Sequence, residues 1–175
     1  MLRKLFCIYA LAMGITLLPA TAATPSTTSS SSTQDEISRE VKLAFAQISP
    51  LGQMKLNGVN PHGTIEFGMR SDEVATKALL NLEYTPSPSL LPVQSQLKIY
   101  LNDELMDVLP ITSEQLGKKS YARVTLNPLY MKDFNRVRVE FVGHYRQACE
   151  NPTNSSLWVD VSGNSGLELR WQKIP

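Results

Sequence analysis

Apolar and polar residues alternate along most of this sequence, and that alternation restricts the chain to folds built from β-strands. The longest run places one series on a single face: Val74, Thr76, Ala78, Leu80, Leu82 and Tyr84. Lys77, Asn81 and Glu83 fall on the other face. Because successive side chains of a strand point to opposite faces, the run predicts a strand with one side on a core and the other in solvent.

Shorter alternating segments recur before and after this run. They cover Val41 to Phe45, Met54 to Leu56, Ile65 to Met69, Leu97 to Leu101, Leu105 to Leu109, Tyr121 to Leu126, Val137 to Phe141, Leu157 to Val161 and Leu167 to Trp171. Asn102-Asp103 predicts a tight hairpin turn, and Thr85-Pro86-Ser87-Pro88 is expected to end the long strand, since proline lacks an amide donor. Helical turns are expected only near Ser113 to Leu116 and Pro128 to Phe134.

Nine or ten short strands separated by turn residues predict an all-β sandwich, of jelly-roll or immunoglobulin-like type. The Cys–Trp–Cys pattern of a true immunoglobulin domain is missing from the sequence. We therefore favour a jelly-roll-like β-sandwich.

The first residues predict export. Arg3 and Lys4 precede an apolar segment from Leu5 to Leu18, and Pro19 to Ala22 ends in the small residues that signal peptidase accepts. Residues 1–22 are predicted to be a cleaved signal peptide, with an uncleaved anchor as the alternative. Residues 23–38 are rich in Ser and Thr and are predicted to be a disordered leader, which leaves 39–175 as the folded domain.

Charge and cysteine content exclude several function classes. The chain has 17 basic and 16 acidic residues without a basic block, so no nucleic-acid partner is expected. Cys7 lies in the predicted signal, which leaves Cys149 to be buried, to pair with another chain, or to pair with a cysteine absent from this sequence. One cysteine and two histidines cannot build a thiolate metal site, and no metal or cofactor is expected.

The sequence also gives no positive reason to expect an enzyme. His62 and His144 are the strong candidates for a general base, and both read more simply as polar residues in a loop or at a strand end. The motifs of serine hydrolases, zinc proteases and phosphate-binding loops are absent from the sequence, and its carboxylates are scattered singly.

A binding module is easier to support, because sandwiches of this type present aromatic rings to sugars. Seven aromatic residues are candidates for such contacts: Tyr84, Tyr100, Tyr121, Tyr130, Tyr145, Trp158 and Trp171. Most are expected to pack in the core or on strand surfaces. Tyr145, Arg146 and Trp158 are predicted as sugar contacts, because of their residue type and their place in loops or at a strand edge.

Several ordered segments resemble the N-terminal region of the regulatory B subunit of bacterial cellulose synthase. They are Ser49-Pro50-Leu51-Gly52, Leu56 to Gly63, Ile65 to Gly68, Arg70 to Val74, Leu82 to Pro88, Tyr100 to Asn102, Phe141 to Tyr145, Cys149 to Pro152 and Ser155 to Trp158. The resemblance runs from about Ile48 to Trp171. It implies a first domain of jelly-roll, carbohydrate-binding-module type, in agreement with the alternation.

The resemblance further implies a periplasmic protein, associated with the inner membrane, that partners the cellulose synthase catalytic subunit and the nascent β-1,4-glucan. The family is also named for cyclic di-GMP binding. Since that dinucleotide is a cytosolic messenger and this domain carries an export signal, direct binding here is not expected. The leading hypothesis is a non-catalytic module that guides the glucan, and the alternative is a purely structural protein–protein interaction domain.

The resembling proteins are several-fold longer and end in a transmembrane anchor. This sequence has no second apolar span, and a truncated product or fragment is therefore expected. The missing part offers one explanation for Cys149, namely a disulfide partner beyond the end of this chain.

Overall fold

The computed structural model describes residues 38–174, which form ten β-strands and little helix. The strands are β1 (Ser38–Ala44), β2 (Met54–Asn57), β3 (His62–Gly68), β4 (Glu73–Pro86), β5 (Gln96–Leu101), β6 (Glu104–Pro110), β7 (Ser120–Thr125), β8 (Phe134–Val142), β9 (Trp158–Val161) and β10 (Gly166–Lys173). One short helix, α1, spans Phe45–Ile48, and 3-10 turns span Ser113–Gln115 and Pro128–Tyr130. The predicted all-β class is confirmed. The predicted signal peptide and most of the predicted leader lie outside the described residues.

The strands form two antiparallel sheets. In the first sheet the order is β1, β10, β4, β9, β2, and β7 pairs with β4 along its other edge. In the second sheet the order is β3, β8, β5, β6. Within residues 38–174, no helix is long and apolar enough to cross a membrane.

A single hydrophobic core lies between the sheets, built from the alternating apolar residues. Its largest fully buried side chains are Tyr84, Phe45, Leu56, Ile65, Leu80, Leu82, Leu97, Ile99, Leu101, Ile111, Leu126 and Leu167. Burying one side chain of this size contributes roughly 1.5–3 kcal/mol, so the core is the main source of stability.

The long strand β4 extends further than the sequence predicted. Thr85 and Pro86 remain in the strand and pair with β9, so the strand does end within the proline segment, but two residues later than the alternation predicted. The Ser87 amide donates to the Trp158 carbonyl oxygen at 3.1 Å, which makes Thr85 and Ser87 the residues bonded to β9. Pro86 therefore faces the other edge, where the pairing with β7 has already ended at Tyr84, and its missing amide costs no ladder hydrogen bond.

The first strand ends earlier than predicted. Phe45 was expected to continue β1, but it begins α1 and is fully buried. Its amide donates to the Ser165 carbonyl oxygen at 2.8 Å. The short helix thus turns the chain between β1 and β2 while placing Phe45 in the core.

Candidate functional site

The connection between β8 and β9, residues 143–157, forms the candidate site. It carries Tyr145 and Arg146, and Trp158 is the first residue of β9 immediately after it. The three residues predicted as sugar contacts are thus placed on one stretch of chain.

Hydrogen bonds to the segment before β5 fix the start of this connection. The His144 amide donates to the Ser95 hydroxyl oxygen at 3.0 Å, and that hydroxyl in turn donates to the His144 carbonyl oxygen at 3.1 Å. The Leu91 amide donates to the same carbonyl at 2.7 Å. Because Ser95 is fully buried, these bonds hold the first residues of the connection firmly against the fold.

The carboxylate of Glu150 organises the residues that follow. It accepts hydrogen bonds from the Tyr145 amide at 2.7 Å and the Arg146 amide at 3.1 Å, and it lies 2.7 Å from His144 Nδ1. The Arg146 amide, followed by the His144 side chain and the Tyr145 amide, holds the pKa of Glu150 below its ordinary value. Charge-assisted bonds of this kind fix the backbone on either side of the Tyr145 side chain.

The side chains of Tyr145 and Arg146 are held as a pair. The Arg146 guanidinium lies 5.3 Å from the centre of the Tyr145 ring and also donates to the Cys149 carbonyl oxygen. The Tyr145 hydroxyl accepts a hydrogen bond from the Asn151 amide at 3.0 Å. Tyr145 is half-buried against the core, whereas Arg146 is exposed.

Trp158 forms one wall of a separate groove of about 350 Å³. The groove is lined by Asn57, Val59, Pro152, Thr153, Asn154, Ser155, Leu157 and Trp158. Trp158 is half-buried and pairs with Asn57 across β9 and β2. The groove therefore combines one aromatic wall with hydroxyl and amide side chains.

Close packing of two loops shapes this groove. The Gly58 amide donates to the Leu157 carbonyl oxygen at 3.2 Å, and a Cβ atom on Gly58 would lie 2.2 Å from the Pro152 carbonyl oxygen. The Asn57 side chain accepts from the amides of Val59 at 3.0 Å and Asn60 at 2.7 Å, which closes the turn after β2. A glycine at position 58 is thus required for the two loops to meet.

The remaining aromatic residues do not join the site. Tyr84 and Trp171 are buried in the core, and burial raises the pKa of the Tyr84 hydroxyl. Tyr121 and Tyr130 are exposed elsewhere. Tyr100 lies under the Arg138 guanidinium, 4.1 Å from the ring centre.

Sequence reasoning missed Glu150 and the groove residues around Pro152. Glu150 and Pro152 lie within one of the segments that carried the family resemblance, and Ser155 and Leu157 lie within another, which was the available signal. Alternation could not find them, because their partners are backbone groups of an irregular loop. Cys149 is exposed in the same loop, and its pairing with a cysteine beyond this chain stays a prediction.

The two histidines occupy different surroundings. His62 is exposed at the start of β3, with Nδ1 3.9 Å from the Glu140 carboxylate, whereas His144 lies beside Glu150. Among residues 38–174, no group of three or more His, Cys, Asp or Glu side chains is arranged to hold a metal ion.

The antiparallel sandwich and its loop-borne aromatic groove define the class as a β-sandwich of carbohydrate-binding-module type. The family model described as "Cellulose synthase BcsB, first CBM domain" matches residues 38–173. The chain belongs to that family, and the resemblance to the regulatory B subunit of cellulose synthase is confirmed.

Curated relatives agree with this assignment. A "Cyclic di-GMP-binding protein" of Salmonella typhimurium is 58% identical over 99% of this chain and 25% of its own length. A protein of the same name from Escherichia coli K12 is 53% identical over 99% of this chain and 27% of its own length. A "Putative cellulose synthase 2" of Komagataeibacter xylinus is 30% identical over 70% of this chain and 8% of its own length. The chain thus spans about a quarter of the length of the first two relatives.

Proposed function

We propose that this domain is a non-catalytic accessory module of bacterial cellulose synthase that binds or guides the emerging β-1,4-glucan. Family membership supports the cellulose synthase context. The observation that carries the sugar-binding role is the groove beside Trp158, because a half-buried indole next to hydroxyl and amide side chains matches the two surfaces of a pyranose ring.

The chemistry of a glucan suits this arrangement. The faces of its glucose rings are apolar and stack on an aromatic wall such as Trp158, while the hydroxyls at the ring edge bond to groups such as Thr153 and Asn154. Tyr145 and Arg146 would contact a neighbouring part of the glucan. Because Glu150 already holds their backbone, binding loses little further conformational entropy there.

We place the domain in the periplasm, beside the inner membrane, with the cellulose synthase catalytic subunit as partner. This proposal rests on the predicted signal peptide and on the family. Although the relatives are named for cyclic di-GMP binding, we propose that this domain does not contact the dinucleotide, which is a cytosolic messenger. We expect no binding of the labelled dinucleotide to this chain, and saturable binding would contradict the proposal.

Calorimetric titration with cello-oligosaccharides tests the proposed sugar site. We expect cellohexaose to bind the folded chain, and both Trp158→Ala and Tyr145→Ala to weaken its binding at least tenfold, since the packing of a glucose face on an aromatic ring is lost. Tyr121→Ala is the matched control, because this exposed ring lies on β7, away from the site. Absence of heat with every oligomer from cellotetraose to cellohexaose, in a chain shown to be folded, would overturn the proposal.

The alternative, a structural interaction domain without sugar binding, is favoured by one observation. Leu129 and Phe134, at the turn before β8 and at its start, are 90% and 63% exposed, as expected of a surface that contacts another protein. A pull-down with the catalytic subunit, compared with pelleting on cellulose, separates the two functions. Retention by the subunit without cellulose binding would favour the alternative.

A further inference from the structure

The outer edge of β3 presents a row of unpaired backbone groups. Within residues 38–174, β3 pairs with β8 and has no strand on its other side. Bonds from the Phe141 amide to the Pro61 carbonyl oxygen, and from the Met69 amide to the Asp133 carbonyl oxygen, both 2.8 Å, set the phase of this pairing. Since bonded residues alternate in an antiparallel pair, the backbone groups of His62, Thr64, Glu66 and Gly68 point away from β8.

Apart from the charge of Glu66, this edge lacks the features that usually protect a sheet from further pairing. Natural edge strands are shortened, bulged, or marked by proline and lysine. β3 pairs in continuous register over seven residues, and its sequence HGTIEFG contains neither proline nor lysine. In contrast, β6 at the other edge of the same sheet has a register shift opposite Ile99 and Tyr100 and ends at Pro110.

A cavity of about 460 Å³ adjoins the unprotected edge. Its apolar lining comes from Pro50, Leu51, Met54 and Leu56, and Gly63 of β3 also borders it. Leu51 is 85% exposed. A Cβ atom on Gly63 would lie 2.4 Å from Met54 Sδ, so the Met54 side chain packs directly against the Gly63 backbone and forms the cavity wall there.

We propose that β3 is a docking site for an extended peptide segment of a partner protein, which adds a fifth strand to the second sheet. The outward backbone groups of Thr64 and Glu66 supply the hydrogen bonds. The peptide residue opposite Gly63 places an apolar side chain in the cavity, as in other cases of strand addition. A basic residue of the peptide faces the exposed Glu66 carboxylate. The cavity shares no lining residue with the proposed glucan groove, although both border the turn after β2.

A peptide fits this edge better than a second copy of the same chain. In a pairing of β3 with the β3 of another copy, the inward side chains of the added strand would be Ile65 and Phe67. These side chains are buried in their own core and cannot enter the cavity. A free peptide has no such restriction.

Amide hydrogen exchange of the full chain, measured by NMR, tests the proposal with a defined probe. The probe is an acetylated and amidated heptapeptide, Thr-Val-Lys-Val-Thr-Leu-Thr, whose alternate residues are apolar. We expect saturating peptide to slow exchange at the Thr64 and Glu66 amides at least tenfold. The Ile65 and Phe67 amides, which already bond to β8, should change much less. Unchanged exchange at Thr64 and Glu66, with this peptide and with its Leu→Phe analogue, would overturn the proposal.

Edge variants provide the matched controls. Thr64→Pro removes one outward amide without removing a bond to β8, and it should abolish protection of Glu66 by the peptide. Tyr121→Pro makes the same change on the edge of β7, where the bond from the Leu126 amide to the Ala78 carbonyl oxygen makes position 121 point outward. This control should retain peptide binding. Equal loss in both variants would contradict the proposed edge.

A second variant tests the site without introducing proline, in case Thr64→Pro fails to fold. Leu51→Asp places a charge beside the cavity at an exposed position. It should weaken binding of the peptide at least fivefold while leaving the fold intact. Protection of the same amides by cellohexaose, without protection by the peptide, would instead assign this edge to glucan and overturn the proposal.

Discussion

A single carboxylate, Glu150, sets the geometry of the candidate site. Its folded-state pKa lies below the ordinary value of 4.5, so its hydrogen bonds stabilise the folded loop above that pH. The contribution is lost as the pH falls through the lower, folded-state pKa. We therefore expect the NMR amide shifts of Tyr145 and Arg146 to titrate together in acid, and cellohexaose affinity to fall with them.

Replacement of this carboxylate tests the assignment. Glu150→Gln removes the titrating group, so the acid transition at the Tyr145 and Arg146 amides should disappear, while Glu66→Gln on distant β3 should leave it in place. Persistence of the transition in Glu150→Gln would show that another group causes it. Sequence reasoning could choose Tyr145 and Arg146 by residue type, but it could not identify Glu150, whose role depends on backbone amides that a loop brings within reach.

Among the elements, the β5–β6 hairpin shows how far local sequence determines structure. Asn102 and Asp103 have φ angles of 51° and 71°, the positive values of a type I′ turn, so the predicted hairpin is confirmed. Glycine is favoured at such positions, and we expect Asp103→Gly to stabilise the fold by about 0.5 kcal/mol in urea unfolding. The lost ion pairs with Arg136 at 2.9 Å and with Arg138 at 3.8 Å, both made by an exposed carboxylate, offset little of this gain.

The neighbouring position should respond in the opposite direction. The Asn102 side chain accepts from the Arg136 amide at 2.9 Å and donates to the Tyr130 carbonyl oxygen at 2.7 Å and to the Asn135 side-chain oxygen at 2.9 Å. Asn102→Gly loses all three bonds, and its net effect should be destabilising. A similar stabilisation by both glycine variants would show that backbone strain alone governs the turn.

Strand pairing explains where sequence prediction succeeded and where it failed. Alternation located the strands, because each has one face on the core. It misplaced the ends at Phe45 and Pro86, since both depend on long-range geometry. Whether proline interrupts a strand depends on which edge its nitrogen faces, and only the register with β9 decides that.

At the scale of the whole molecule, the two sheets share one core and should unfold together. Leu80 of β4 is fully buried in that core, and Leu80→Ala should lower the free energy of unfolding by roughly 2–5 kcal/mol through lost burial and a residual cavity. Val74→Ala, on the same strand but 42% exposed, should cost less than about 1 kcal/mol because little burial is lost.

The two sheets can be followed separately during urea unfolding, which tests whether they are coupled. Tryptophan fluorescence reports on Trp158 of β9 and Trp171 of β10, both in the first sheet, and the NMR amide signal of Val139 reports on β8 in the second sheet. Because a single core joins the sheets, both signals should shift to the same lower midpoint in Leu80→Ala. A lower midpoint for the tryptophan fluorescence with an unchanged one for Val139 would mean that the sheets unfold independently and that the interface between them contributes less than its burial indicates.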